Sequence, residues 1–240
     1  GSISNIAFRP GKNSITFLEK MEGDKATALY EISLTGGEAS KLYEFETSIT
    51  QYDWAVDGNT LVFLANEVQE KEQKKPELPY TPELYEENKT FRHGYVLDLA
   101  TDEVKKLNVE GYFHAIAISP DASRVAAGVS PTPHVDDQYM KQKIHFIDVN
   151  SLNKTTTVDH EGKLGSFSFS PDSKKLAFIG GADIHDPIDG RLFVVSTDGN
   201  EAINLQPDFE GKFESFSWLD NETIEFIAST GVTSLFGSIK

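Results

Sequence analysis

The chain has 240 residues, of which 38% are hydrophobic and 25% are charged, a composition typical of a globular domain with a substantial core. Its formal net charge of −16 disfavours binding to nucleic acids and to anionic membrane surfaces, and no apolar run is long enough to insert into a membrane. The absence of cysteine excludes disulfides, zinc–thiolate sites and cysteine nucleophiles.

A strand–turn–strand pattern recurs along the chain. Each copy alternates apolar and polar residues, as strands do, and has an aromatic residue or isoleucine at its sixth place. Turn-forming residues such as Ser170-Pro171-Asp172-Ser173 separate the two strands. Each copy therefore predicts an antiparallel hairpin whose sixth-place residue packs in the core. The copies are ISNIAFRPGKNSITF from residue 3, ITQYDWAVDGNTLVF from 49, FHAIAISPDASRVAA from 113, LGSFSFSPDSKKLAF from 164 and FESFSWLDNETIEF from 213.

A second pair of strands follows each hairpin except the last. Four antiparallel strands per repeat, in up-and-down order, form one blade of a β-propeller, and the regular period favours a propeller over a β-sandwich. We predict an all-β fold with one β-propeller domain over residues 1–240. The blades lie at about 3–48, 49–111, 112–162, 163–211 and 212–240. The last is incomplete because the chain reaches Lys240 after a third strand, so about five blades are present and we expect them to belong to a larger propeller.

Long loops join the second and third strands of blades 2, 3 and 4, and these loops lie on one face of the predicted propeller. Glu86 and Glu87 follow a predicted short helix start at Thr81-Pro82, and adjacent carboxylates there suit a cation such as the free amine of a peptide. The candidates for substrate or interface contacts are Glu86, Glu87, Arg92, His134, Asp136, Asp137, Tyr139, Asp183, His185, Asp186 and Arg191.

No pattern of residues predicts catalysis. A serine hydrolase needs its nucleophile in a G-x-S-x-G elbow, and the segment around Ser130 lacks the last glycine and a following helix. The loops around His134 and His185 offer carboxylate and imidazole groups that suit a divalent cation, but aspartates in loops more often cap turns. We expect no catalytic residue, no metal and no cofactor in this chain.

The repeat has a family resemblance. FSFSPDSKKLAFIGG followed by LFVVSTDGNEAINL resembles the repeats of TolB-type propellers and of the propeller domain of prolyl oligopeptidase family serine peptidases. SPTPHVDDQYM and GGADIHDPIDGRLFVV are more similar to the bacterial peptidase group, the dipeptidyl and acylaminoacyl peptidases. That resemblance implies an α/β-hydrolase catalytic domain in the same parent chain, which would carry the Ser–Asp–His triad. The propeller would gate its active site and dock peptide substrates.

One function is preferred and two alternatives stay open. We expect a non-catalytic propeller domain of a serine peptidase. The alternatives are a TolB-like periplasmic propeller that binds protein partners and a five-bladed glycosidase-type enzyme. The resemblance implies a periplasmic or secreted bacterial protein, with the cytoplasm as the alternative location. We expect no nucleic-acid partner and no membrane insertion.

Overall fold

The structure, a computed structural model, describes residues 2–68, 89–186 and 190–240. In these ranges there are 19 strands and one short helix, α1 (Val135–Met140), and no helix is long and apolar enough to cross a membrane. The strands are β1 Ser4–Phe8, β2 Ser14–Glu19, β3 Ala28–Ser33, β4 Ser40–Tyr43, β5 Ile49–Trp54, β6 Thr60–Asn66, β7 Arg92–Asp98, β8 Glu103–Lys106, β9 Tyr112–Ile118, β10 Arg124–Ser130, β11 Lys143–Asp148, β12 Lys154–Thr157, β13 Leu164–Phe169, β14 Lys175–Gly180, β15 Arg191–Ser196, β16 Ile203–Asn204, β17 Lys212–Trp218, β18 Ile224–Thr230 and β19 Thr233–Ile239.

The strands pair antiparallel in chain order and form the five blades of a β-propeller. Blade 1 is β1–β4, blade 2 is β5–β8, blade 3 is β9–β12, blade 4 is β13–β16 and blade 5 is β17–β19. The first strand of each blade is the innermost, because β5, β9, β13 and β17 contact one another in succession around the axis. The predicted all-β propeller is therefore confirmed, and within the described residues the fifth blade has three strands.

Side-chain hydrogen bonds fix the turns inside the hairpins. In blade 4, the Ser170 hydroxyl donates to Asp172 Oδ1 over 2.7 Å, and the Ser173 amide donates to the Ser170 carbonyl over 2.9 Å. Ser173 has a φ of 65°, and Gly58 and Ala122 hold the same left-handed position in blades 2 and 3, with φ of 65° and 58°. The repeated serine and aspartate are thus turn-forming residues, as predicted.

The core consists of apolar layers between consecutive blades. Sixth-place residues Trp54, Ile118 and Phe169 are buried against the preceding blade, as predicted. The prediction is wrong for Phe8 of blade 1, which is exposed because no other blade packs on it within the described residues. Trp218 of blade 5 is partly buried against blade 4.

The strand order gives the propeller two distinct faces. The hairpin turns between first and second strands lie at one end of every sheet, which we call the turn face. Loops between second and third strands share the opposite end with the connections between blades, and we call this end the insertion face. A Cβ added at Gly162, in the connection to blade 4, would lie 2.5 Å from the Asp183 carbonyl oxygen, so connection and insertion loop are tightly packed there.

Candidate functional site: an axial cleft and the insertion face

A cleft of about 340 Å³ opens near the axis, between the inner strands of blades 2, 3 and 4. Its walls are the last residues of β5, β9 and β13, together with Pro120 of the following turn, so it lies toward the turn face. Gln51, Asp53 and Ser168 contribute polar groups, and Phe167 contributes aromatic surface. The exposed lining of the cleft is more polar than apolar, so it suits a polar or charged group of a ligand.

Asp53 is the one carboxylate among the described residues that line this cleft. Its two oxygens accept hydrogen bonds from the backbone amides of Trp54, over 3.0 Å, and of Ile118 in the next blade, over 2.9 Å. Burial raises the pKa of Asp53 to about 6, although these two hydrogen bonds act in the opposite direction. Asp53 therefore holds a partly buried negative charge at neutral pH, and it titrates in the physiological range.

A polar network behind the cleft positions the end of β5. The Trp54 indole N–H donates to Thr16 Oγ1 of blade 1 over 3.0 Å, and Thr16 Oγ1 also lies 2.9 Å from the Tyr52 hydroxyl. The Arg9 guanidinium stacks on the Trp54 ring with its carbon 5.2 Å from the ring centre. Because Thr16 is fully buried, loss of one partner would leave a buried polar group unsatisfied. These contacts with Thr16 and Arg9 of blade 1 thus fix the position of the strand that carries Asp53.

In the insertion loop of blade 3, all four predicted residues lie on or beside α1. Asp137 is buried and accepts from the Thr132 hydroxyl and from Lys141 Nζ, each over 2.7 Å, and these contacts lower its pKa. His134 is the N-cap residue of α1, and Asp136 lies in its first turn. The Lys163 ammonium, just before the first strand of blade 4, lies over the exposed Tyr139 ring, 5.1 Å from the ring centre. Asp137 therefore stabilises its own loop, and Tyr139 contacts the next blade.

In the insertion loop of blade 4, the aspartates cap their own turns. Asp183 Oδ1 accepts from the amides of His185 and Asp186, over 2.7 and 3.1 Å, and Asp186 Oδ2 accepts from the Ala182 amide over 2.9 Å. Such bonds are the usual role of aspartate in loops. Among the described residues no cluster of three histidine, aspartate or glutamate side chains could hold a metal ion. Glu86 and Glu87 lie outside the described residues.

Arg92 and Arg191 join consecutive blades. Each is the first residue of a third strand, and each guanidinium donates to backbone carbonyls where the next blade begins. Arg92 donates to the carbonyls of Phe113 and His114, over 2.6 and 3.2 Å, and stacks on Tyr112 of blade 3. Arg191 donates to carbonyl oxygens in the connection to blade 5. Both predicted candidates therefore hold blades together on the insertion face.

Ser130 is buried and has a structural hydrogen-bonding role. Its hydroxyl donates to the Thr132 carbonyl over 2.6 Å, so the 2.7 Å contact with His114 Nε2 must use a proton on the histidine. Burial and the nearby Arg92 lower the pKa of His114 to about 4. In this arrangement the neutral histidine donates to the serine and does not accept its proton.

Sequence reasoning missed Asp53, although the repeat contains a signal for it. Asp53 occupies the fifth place of its copy, and the other copies have alanine or serine at that place. A carboxylate at the fifth place of an inner strand breaks the pattern that the other blades follow. Such an exception is expected at functional sites, where local structural preference gives way to chemistry.

Comparisons with known proteins identify the fold. No protein-family model and no curated protein matches the chain. A crystal structure of TolB from Acinetobacter baumannii matches with a TM-score of 0.61 and 17% identity, over 99% of this chain and 51% of that one. Hydrazine synthase from Kuenenia stuttgartiensis matches at 0.61 and 13%, over 93% and 55%. A putative TolB from Agrobacterium tumefaciens matches at 0.51 and 16%, over 80% and 60%.

These comparisons confirm the resemblance to TolB-like propellers as a likeness of fold. The chain spans between about half and three-fifths of the length of these neighbours. At such low identities the likeness extends to the fold alone. Membership of the peptidase family therefore stays a prediction from the sequence.

Proposed function

We propose that the chain is a non-catalytic β-propeller that binds an extended segment of a peptide or protein in its axial cleft. The observation that carries the proposal is Asp53, a carboxylate with raised pKa in a cleft between three inner strands. A lysine or arginine side chain, or a free amino group, would pair with that charge. Phe167 would contact the apolar part of the same segment.

A more specific form of this proposal is the peptide-docking domain of a serine peptidase. The α/β-hydrolase catalytic domain would then belong to the same parent chain and would face the turn face, where the cleft lies. A periplasmic or secreted location is part of this proposal, as it is for a TolB-like binding protein. A parent gene without a G-x-S-x-G segment followed by Asp and His would refute the peptidase form only.

A glycosidase is less well supported than a binding protein. Glycosidases use two carboxyl groups that face each other across the bond to be cleaved. Asp53 has no second carboxylate beside it among the described residues of the cleft. Its oxygens also already accept two backbone hydrogen bonds, which favours electrostatic recognition of a cation.

Peptide selection tests the proposed function directly. A displayed library of short random peptides is selected on the purified chain, and binding of the selected peptides is measured by isothermal titration calorimetry. We expect basic peptides whose affinity falls about tenfold in Asp53→Asn, the usual scale for one charge-assisted contact. Asp208→Asn, a matched change at an exposed aspartate, should leave the affinity unchanged.

The pH dependence of binding adds a second criterion. As pH falls through about 6, Asp53 becomes protonated and loses the charge that a cation recognises. We therefore expect the affinity for a lysine-containing peptide to fall between pH 7 and pH 5 in the wild-type chain, and to be nearly constant in Asp53→Asn. Equal affinities of the wild-type and Asp53→Asn chains at pH 7 would refute the axial site.

A further inference from the structure

The connection between blades 3 and 4, residues 158–163, buries a histidine against two aromatic rings. His160 is only 9% exposed. Its ring centre lies 5.1 Å from that of Phe178 on β14 and 4.8 Å from that of Phe193 on β15, and it meets both rings edge to face. The two phenylalanine rings stack on each other, 5.0 Å apart. The imidazole therefore fills the joint between this connection and blade 4.

The joint between blades 1 and 2 has the same arrangement, with a phenylalanine in place of the histidine. Phe45 lies 5.1 Å from Phe63 and 4.8 Å from Tyr95, and these two rings stack on each other at 5.1 Å. Phe45 comes four residues before the first residue of β5, just as His160 comes four residues before the first residue of β13. A phenyl ring thus satisfies the packing at this position, so packing alone does not require an imidazole.

One nitrogen of the His160 ring has no hydrogen-bond partner. Among the residues that the structure describes, nothing pairs with Nε2, and this atom is shielded from solvent. A Cβ added at Gly180 would lie 2.6 Å from the nitrogen, so Nε2 packs directly against the glycine backbone. Buried polar atoms are seldom left unpaired, because each one loses its bonds to water without replacement. The unpaired nitrogen is therefore a cost that the phenylalanine of the other joint avoids.

The closed joint accepts a neutral imidazole and disfavours its protonated form. Burial lowers the pKa of His160, because a charge there would lose its hydration. The charged and polar groups that face the ring are Lys143 of β11, which acts in the same direction, and Asp159, Glu161 and the Lys163 backbone of its own connection, which act in the opposite direction. From β14 and β15 the ring meets Phe178, Gly180 and Phe193. Stability that depends on this joint is therefore present above the ordinary histidine pKa of about 6.5 and is lost as pH falls below it.

Backbone hydrogen bonds link the same connection to blade 4 and to its insertion loop. The Gly181 amide, where that loop begins, donates to the Lys163 carbonyl over 2.9 Å. The Asp159 amide donates to the Asn200 carbonyl over 2.7 Å. If the His160 ring leaves its place between the aromatic rings, the connection moves and these bonds break with it. Release of one side chain would thus free a part of the insertion face.

We propose that His160 is the latch of an acid-sensitive joint between blades 3 and 4. Protonation of the ring releases residues 158–163 from blade 4 and frees the insertion loop that begins at Gly181. The joint between blades 1 and 2, which has Phe45 at the same place, stays closed under the same conditions. This proposal is independent of the axial cleft.

Amide hydrogen exchange, followed by NMR at pH 7 and pH 5, tests the proposal. The rates are corrected for the intrinsic dependence of exchange on pH, so that they report the opening of the structure. The amides of Asp159 and Gly181 report on the joint between blades 3 and 4. The Ile49 amide, which donates to the Thr27 carbonyl over 3.0 Å at the joint between blades 1 and 2, is the internal control.

We expect the protection of Asp159 and Gly181 to fall about tenfold from pH 7 to pH 5. A histidine that is neutral when buried and has a pKa of about 6.5 when released sets an upper limit of about 25-fold. The protection of Ile49 should stay within about twofold. Equal losses at Ile49 and Gly181, or no loss at Gly181, would overturn the proposal, and this comparison needs only the wild-type chain.

A variant that copies the other joint assigns the effect to one residue. His160→Phe should keep the protection of Gly181 nearly constant between pH 7 and pH 5. His185→Phe, a matched change at an exposed histidine of the insertion loop, should behave as the wild type does. The other titrating groups, Asp53 among them, are present in all three chains, so their contributions cancel. An acid-induced loss in His160→Phe as large as in the wild type would show that another group opens the joint.

Discussion

Replacement of Asp53 by asparagine should change how the stability of the propeller depends on pH. In the folded chain the Asp53 pKa is about 6, against 3.8 for an ordinary aspartate. Between these values the folded state binds more protons than the unfolded state, so the contribution of Asp53 to stability decreases as pH rises. Above pH 6 the ionised group costs about 3 kcal/mol relative to its neutral form. From pH 5 to pH 7 that cost grows by about 1 kcal/mol.

Urea unfolding at pH 5 and pH 7 measures this quantity. The difference in unfolding free energy between Asp53→Asn and wild type should be about 1 kcal/mol more positive at pH 7 than at pH 5. The comparison cancels other titrating groups, including His114 and His145, whose lowered pKa values make the chain less stable as pH falls. Asp208→Asn controls for net charge. Parallel pH profiles for Asp53→Asn and wild type would refute the assignment of a raised pKa to Asp53.

Three further predictions concern the turns and the joints between blades. Gly58→Ala should cost at least about 2 kcal/mol more than Gly11→Ala in urea unfolding, because a Cβ at Gly58 would lie 2.1 Å from the Pro10 carbonyl oxygen, whereas Gly11 has similar φ and open space. Equal losses would contradict this. Ala122→Gly should gain about 0.5 kcal/mol in thermal unfolding by relieving a φ of 58°, and a loss would contradict it. Arg92→Ala should cost about 2–4 kcal/mol by removing two hydrogen bonds and ring stacking on blade 3, and a loss below about 1 kcal/mol would show that this joint is not needed.

The fold could be predicted because its determinants are local and repeated. Each hairpin contains its own alternating strands and its own turn, so one copy can be checked against the others without knowledge of the tertiary structure. What the repeat could not show is which blade faces are covered. Phe8 has the same place as Trp54 in the pattern, yet it is exposed because burial depends on a preceding blade.

The site was harder to predict because aspartate and histidine residues in a loop can either bind a ligand or stabilise the loop itself. Asp137 and Asp183 have residue types that suit a metal, but their oxygens accept hydrogen bonds from their own loops. Sequence reasoning missed the better candidate, although Asp53 alone among the five copies places a carboxylate at the fifth place of an inner strand. Its partner Ile118 is 65 residues away in sequence, so only the tertiary structure shows that the two meet.

The inner strands explain why a carboxylate at Asp53 points to function. Side-chain hydrogen bonds link neighbouring inner strands, such as Asn5 Nδ2 to the Thr50 carbonyl over 3.0 Å and Gln51 Nε2 to the Ile116 carbonyl over 3.3 Å. These amides join the blades without burying a charge. Asp53 makes a similar link at the cost of desolvating an ionised group, which reduces stability at neutral pH. Asparagine has one acceptor oxygen and could satisfy only one of the two amides that bond to Asp53, so the carboxylate joins the blades and also brings the negative charge that a cationic ligand in the cleft would use.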